Sequence, residues 1–230
     1  AGRGSTAAAG EEEDKIMEAL QLVFGHMQEG KMAAYDAAHL VDLLGIDKGE
    51  QQDPQEFNKL FMSLLERCLR RTGPPLSTLV QDLFAGELAY VTTCSVCGGA
   101  SRRRSAFNEL ELQIGDSRTV EGCLDSYLSP EYLNGDNQYL CEQCGGKRDA
   151  ERRIELLRLP PVLSIQLLRY VYDLTTFNRR KIRAPVRIAA TLKMAGRISH
   201  PTDTAAGNGG DRGGSGGQAS AKRARVNGGE

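Results

Sequence analysis

Two short stretches constrain this chain more than any others. "CSVCGG" at 94–99 and "CEQCGG" at 141–146 each separate two cysteines by two residues and follow them with glycines. Two thiolates on one tight turn can share a tetrahedral Zn²⁺ at about 2.3 Å. The glycines let the turn close and bring backbone N–H groups toward the sulfurs, offsetting their negative charge. With residues 98–140 between the pairs, Cys94, Cys97, Cys141 and Cys144 supply four thiolates. A full shell leaves no open coordination position, so one structural zinc is the expected cofactor. It would pin two hairpins together and make metal binding part of the folding free energy. A redox pair, unrelated free thiols or an iron–sulfur cluster would account for four sulfurs less well, because the two pairs are matched. Paired spacing of this kind in a cell interior favours metal over disulfides. The other two cysteines, Cys68 and Cys123, occupy apolar positions of predicted helices, where a thiol packs as a small hydrophobe without activation.

A metal clip needs a folded frame around it. The chain has 230 residues, 40% of them hydrophobic, enough for one ordinary domain. Many of its 26 glycines gather in "GNGGDRGGSGG", 207–217, a linker composition that cannot pack a core. We place the ordered domain at 14–195, with 1–13 and the Gly-rich 196–230 disordered. A net charge of −1 creates no global field for nucleic acid or an anionic membrane. No apolar run reaches membrane-spanning length, and "AGRGSTAAAGEEEDK" has no signal-peptide core. The protein is expected to be soluble and intracellular, and its start at Ala hints at an incomplete chain.

The patterning runs from helices to strands. Ile16, Leu20, Val23, Phe24 and Met27 mark a helix over 14–29, and Leu40, Val41, Leu43 and Leu44 mark a short one over 36–44 capped by Asp36. His26 and His39 lie in or beside these helices and read as packing or surface residues. Phe57, Leu60, Phe61, Leu64, Leu65, Cys68 and Leu69 form an unbroken helical stripe. Asp53 suits its N-cap, Pro54 its first position, and Glu56 would complete a capping box, with the cap contributing about 1 kcal/mol. "RRTGPP" ends it. Beyond Phe84, residues 84–94, 106–114 and 152–173 carry strand-like alternation, and Leu110, Leu112 and Ile114 make a period-two face. Val120, Cys123, Leu124, Tyr127 and Leu128 return to helical spacing. The fold class is therefore α+β.

Four blocks together resemble the ubiquitin-specific proteases, a papain-like family of cysteine deubiquitinases. They are the segment through "GEQQDPQEFNKLFMSLLE", the first knuckle with "FNELELQI", the second knuckle through "LLRYVYD", and "RRKIRAPVRI". The resemblance covers about 16–194. It implies a partial domain: helical thumb, β fingers bearing the four-cysteine zinc ribbon, and part of the palm. It also implies thiol-dependent hydrolysis of the bond after the C-terminal Gly of ubiquitin, with ubiquitin and ubiquitinated proteins as partners. In the family the Gln-Gln-Asp-x-Gln-Glu box lines the channel for ubiquitin's tail, Arg-Leu-Arg-Gly-Gly, so Asp53, Glu56 and Gln55 become the expected ubiquitin contacts. A carboxylate can take an arginine through two charge-assisted hydrogen bonds.

Nothing before Asp14 resembles the family's Asn-x-x-x-x-Cys-Tyr nucleophile segment, and His200 in Ser-His-Pro lacks the catalytic Gly-His-Tyr context. A thiol nucleophile needs a base and that base an orienter. The expectation is a chain with no catalytic residues of its own, inactive as it stands. The alternative function is a non-catalytic ubiquitin-binding or scaffold module built on a structural zinc ribbon. A nucleic-acid binder is disfavoured: Arg102–Arg104 and Arg179–Lys181 lack interleaved aromatics and read as solvated strand ends. The basic "AKRARV", 221–226, favours the nucleus over the cytoplasm.

Overall fold

The computed structural model describes residues 4–49, 53–173 and 178–199. Helices α1 (Gly4–Glu29), α2 (Ala38–Leu43), α3 (Pro54–Arg70) and α4 (Leu79–Phe84) come first. Strands β1 (Gly86–Cys94), β2 (Ala100–Phe107) and β3 (Glu109–Gln113) follow, then α5 (Val120–Leu128). Next come β4 (Glu131–Leu133), β5 (Tyr139–Cys141), β6 (Gly146–Arg148), β7 (Ala150–Arg158), β8 (Ser164–Leu168), β9 (Tyr170–Asp173) and β10 (Asn178–Lys181). No helix among the described residues is long and apolar enough to cross a membrane. The α+β order expected from the patterning is the order observed.

The core lies where β-structure meets α5. Leu88, Leu110, Leu112, Val120, Cys123, Leu124, Ile154 and Leu156 form one buried cluster. The period-two face of β3 is responsible for much of it, since alternate side chains of a strand share a face. Leu110 and Leu112 are fully buried and Ile114 nearly so. β3 pairs in parallel with β8, Leu110 opposite Ile165 and Leu112 opposite Leu167. Thr119 caps α5 by accepting from Gly122 N at 3.1 Å, which aims Val120, Cys123 and Leu124 at the strands. Glu155 is the charged residue buried beside this core, and Arg102 at 2.6 Å and Arg153 at 2.9 Å answer its charge.

A second sheet has the order β2-β1-β7-β4, antiparallel throughout. β1 and β2 form a hairpin, Thr93 opposite Ala100, whose tip is the first cysteine pair. β5 and β6 form a small hairpin, Cys141 opposite Gly146, that carries the second pair and leads into β7. Because β7 runs antiparallel to β1, its first residue, Ala150, lies opposite Cys94. Strand direction alone thus brings the two hairpin tips to one end of the sheet.

The helical part departs from expectation at several points. α1 begins at Gly4, ten residues before Asp14, so the segment 1–13, expected to be disordered, is helical over its described residues. Ala7–Ala9 and Glu11–Glu13 are strong helix formers, and Glu13 and Asp14 are held by Arg67 at 2.9 Å and Arg71 at 2.7 Å on α3. The apolar stripes of α1 and α3 are only partly buried. Ile16, Ala19 and Cys68 are inside, whereas Phe24, Met27, Phe57 and Leu60 are exposed. α2 starts at Ala38 without a side-chain cap; Asp36 instead accepts from Ala38 N at 2.9 Å just ahead of it. At the other end, the expected boundary at 195 is passed. Ile198 bridges Leu156, Ser199 N donates to Leu156 O at 2.8 Å, and Arg197 grips Asp125. His200, the Gly-rich stretch 207–217 and the basic 221–226 lie outside the described residues.

Candidate functional site

The four cysteines of the two knuckles converge. Their sulfurs all lie within 4.8 Å of one another, with Cys94 and Cys144 3.9 Å apart and Cys97 and Cys141 3.6 Å apart. A tetrahedron of sulfurs about 2.3 Å from a central ion has edges of about 3.8 Å, so the spacing fits a four-thiolate metal site. Each turn is closed by a glycine with positive φ, Gly98 at 70° and Gly145 at 64°, a conformation in which a Cβ is strained. Gly98 N donates to Cys94 O at 3.0 Å, and Gly99 N donates toward Cys97 Sγ at 3.4 Å. Cys94 and Cys141 are buried, Cys144 is half-buried, and Cys97 is exposed beside Gln143.

The electrostatics of these thiols also fit a cation. Backbone N–H groups of Cys97 and Val96 lower Cys94 to about 7. Cys144 is pushed up to about 12, first by its hydrogen bond to Cys97, then by burial and the other thiols. Four sulfurs this close cannot all ionise against one another, and a divalent ion is the group that would let them. The remaining cysteines stand apart from the tetrad: Cys68 and Cys123 are buried, and burial raises both thiols.

The second region is the start of α3. Asp53 is its N-cap, and its Oδ1 accepts from Gln55 N at 2.8 Å. Among the described residues the Glu56 side chain accepts no hydrogen bond, so the expected reciprocal capping box does not form. Both carboxylates are exposed. Gln55 is different: its Nε2 donates to Glu109 Oε1 at 3.0 Å and Glu111 Oε1 at 2.8 Å on β3. Lys59, one turn along, meets the same two oxygens at 3.0 and 2.8 Å. Sequence reading did not mark Glu109, Glu111 or Lys59, because charged residues alternating with Leu110 and Leu112 look like a solvated strand face. The pairing of Gln55 and Lys59 at i, i+4 was the available signal. Gln51 and Gln52 lie outside the described residues.

The histidines and the basic triplet have ordinary surroundings. His26 stacks on Tyr35 at 4.3 Å between ring centroids, and His39 is exposed. Arg102 pairs with Glu155, Arg103 lies over the Tyr90 ring at 5.2 Å, and Arg104 pairs with Glu87 at 3.4 Å.

Sequence comparison identifies the class of protein to which this helical part and cysteine-tipped sheet belong. Residues 3–209 match the family described as ubiquitin carboxyl-terminal hydrolase, and the chain belongs to that family. Among individual proteins it is similar to ubiquitin carboxyl-terminal hydrolase 48 of Rattus norvegicus, 42% identical over 190 residues covering 82% of this chain and 18% of the relative. It is likewise 42% identical to ubiquitin carboxyl-terminal hydrolase 26 of Oryza sativa, over 82% of this chain and 18% of that one. Human ubiquitin carboxyl-terminal hydrolase 47 is 31% identical over 76% of this chain and 13% of its own. The chain thus spans less than a fifth of the length of these relatives. In fold it is similar to a chain of the SAGA Ubp8/Sgf11/Sus1/Sgf73 DUB module bound to ubiquitin aldehyde, with a TM-score of 0.68 and 22% identity over 82% of this chain and 44% of that chain.

Proposed function

We propose that this chain is the ubiquitin-gripping part of a deubiquitinase, a thiol-dependent hydrolase of the bond after the C-terminal Gly of ubiquitin, acting on ubiquitinated proteins. The observation that carries the proposal is the geometry at the start of α3. Asp53 is exposed, fixed through Oδ1 by Gln55 N, and retains acceptor capacity on its carboxylate. The Glu56 carboxylate is exposed and has no hydrogen bond or ion pair among the described residues. Together they present two carboxylates on a rigid helix start to the arginines of ubiquitin's tail. In this reading Cys94, Cys97, Cys141 and Cys144 hold one structural Zn²⁺, which stiffens the hairpin end of the sheet and takes no part in chemistry.

A second reading, a ubiquitin-binding module without its own nucleophile, is favoured by the cysteines. Four belong to the metal tetrad and the other two are buried with raised pKa. The two readings separate with ubiquitin carrying a thiol-reactive C-terminus. Covalent capture supports a nucleophile within this sequence; reversible binding alone supports the module.

The test of the site is Asp53→Asn, which preserves the cap, since Asn caps as well as Asp, and removes the charge. Loss of charge-assisted hydrogen bonds worth about 1.5–3 kcal/mol should weaken ubiquitin binding roughly 10–100-fold, with the unfolding midpoint unchanged. Equal binding by the folded variant refutes the assignment. We also propose a nuclear location, supported by the basic 221–226; a tagged chain deleted for that stretch should redistribute to the cytoplasm.

A further inference from the structure

We infer that Gln55 is a positioning residue rather than a ubiquitin contact, and that Glu109, Glu111 and Lys59 form the base on which it holds Asp53. The inference rests on the reading of Asp53 and Glu56 given above.

The links form one chain of hydrogen bonds. Asp53 Oδ1 is aimed by Gln55 N at 2.8 Å. The Gln55 side-chain amide has two N–H donors, and Nε2 lies within 3.0 Å of both Glu109 Oε1 and Glu111 Oε1. Its donor capacity is therefore spent inside the fold. Glu109 and Glu111 stand two apart on β3, so their side chains share a face and their charges repel. The Lys59 ammonium sits against the same two oxygens and offsets that repulsion. Its own pKa is raised, mainly by the hydrogen bond to Glu111. On the opposite face of β3, Leu110 and Leu112 are fully buried in the core. The strand cannot shift without disturbing that packing, so β3 is a fixed reference. Gln55 and Lys59 transfer its position to the first turns of α3.

Four proteins test this: wild type, Gln55→Ala, Glu109→Ala/Glu111→Ala, and the triple variant, all in the full 230-residue chain. Ubiquitin affinity and hydrogen exchange of the 55–58 amides are read for each. Gln55→Ala and the double variant should each weaken ubiquitin binding about 3–10-fold and speed exchange in the first turn of α3. The triple variant should be no weaker than the weaker of its parents, because both changes cut the same link. Additive losses would mean that Gln55 touches ubiquitin directly and would overturn the inference, as would unchanged affinity in Gln55→Ala. Should the double variant fail to fold, Glu111→Ala replaces it in the cycle. If wild type does not bind ubiquitin, the functional reading falls, and exchange alone judges the network: unchanged exchange in Gln55→Ala refutes it.

Discussion

If the four cysteines hold zinc as proposed, chelation should loosen one end of the β-structure and leave the rest standing. The magnitude follows from the sulfur geometry. Cys97 and Cys141 are 3.6 Å apart, Cys94 and Cys144 3.9 Å, and no pair exceeds 4.8 Å. Two full charges about 4 Å apart repel by about 4 kcal/mol at an effective dielectric near 20. Four thiolates make six such pairs, so the uncompensated tetrad cannot stay fully ionised in this geometry. Without the ion, most of the thiols must take up protons or the tips must separate. Zinc binding at structural sites contributes about 10–16 kcal/mol. The β5–β6 hairpin, with three residues in each strand, has little else to hold it, because an isolated hairpin is marginal. The assay is hydrogen exchange before and after chelation, with metal analysis expected to give one zinc per chain beforehand. Amides of β5 and β6 should lose protection. Those of β3 and β8, built into the apolar cluster, should keep theirs. Full protection of β5–β6 in verified metal-free protein would refute the reasoning.

Two substitutions contrast the core with the surface. Leu110→Ala removes a fully buried side chain at the centre of the cluster, with an expected cost of about 2–5 kcal/mol; thermal unfolding should shift down accordingly. Met27→Ala, on an exposed part of α1, should stay within about 0.5 kcal/mol. Tyr127 has its pKa raised from 10.0 to about 12, chiefly by burial. The fold favours its neutral form, so that stabilisation is complete below pH 10.0 and is lost as pH climbs toward about 12. Urea midpoints measured across that alkaline window should fall less steeply in Tyr127→Phe than in wild type; identical slopes would exclude Tyr127 as the cause.

The sequence by itself determined the local chemistry of this protein. The spacing of Cys94, Cys97, Cys141 and Cys144 specified which four thiols would cluster, because thiols two residues apart on a glycine-closed turn suit a shared tetrahedral site. Asp53 and Pro54 announced the start of α3, since capping depends on neighbours within one turn. Leu110, Leu112 and Ile114 announced the buried face of β3 through a period that only a strand satisfies. The tertiary structure decided what depends on distant partners. It paired β3 with β8 and set β1 against β7, which put residues 94 and 150 side by side. It left Phe24, Met27, Phe57 and Leu60 exposed, although periodicity marked them as inward: a helix pattern defines an apolar face, and only packing defines how much of that face is covered. It also committed Gln55 to Glu109 and Glu111, 54 and 56 residues away. Hydrogen bonds across such separations are made by the assembly of helix and strand, and no local pattern encodes them.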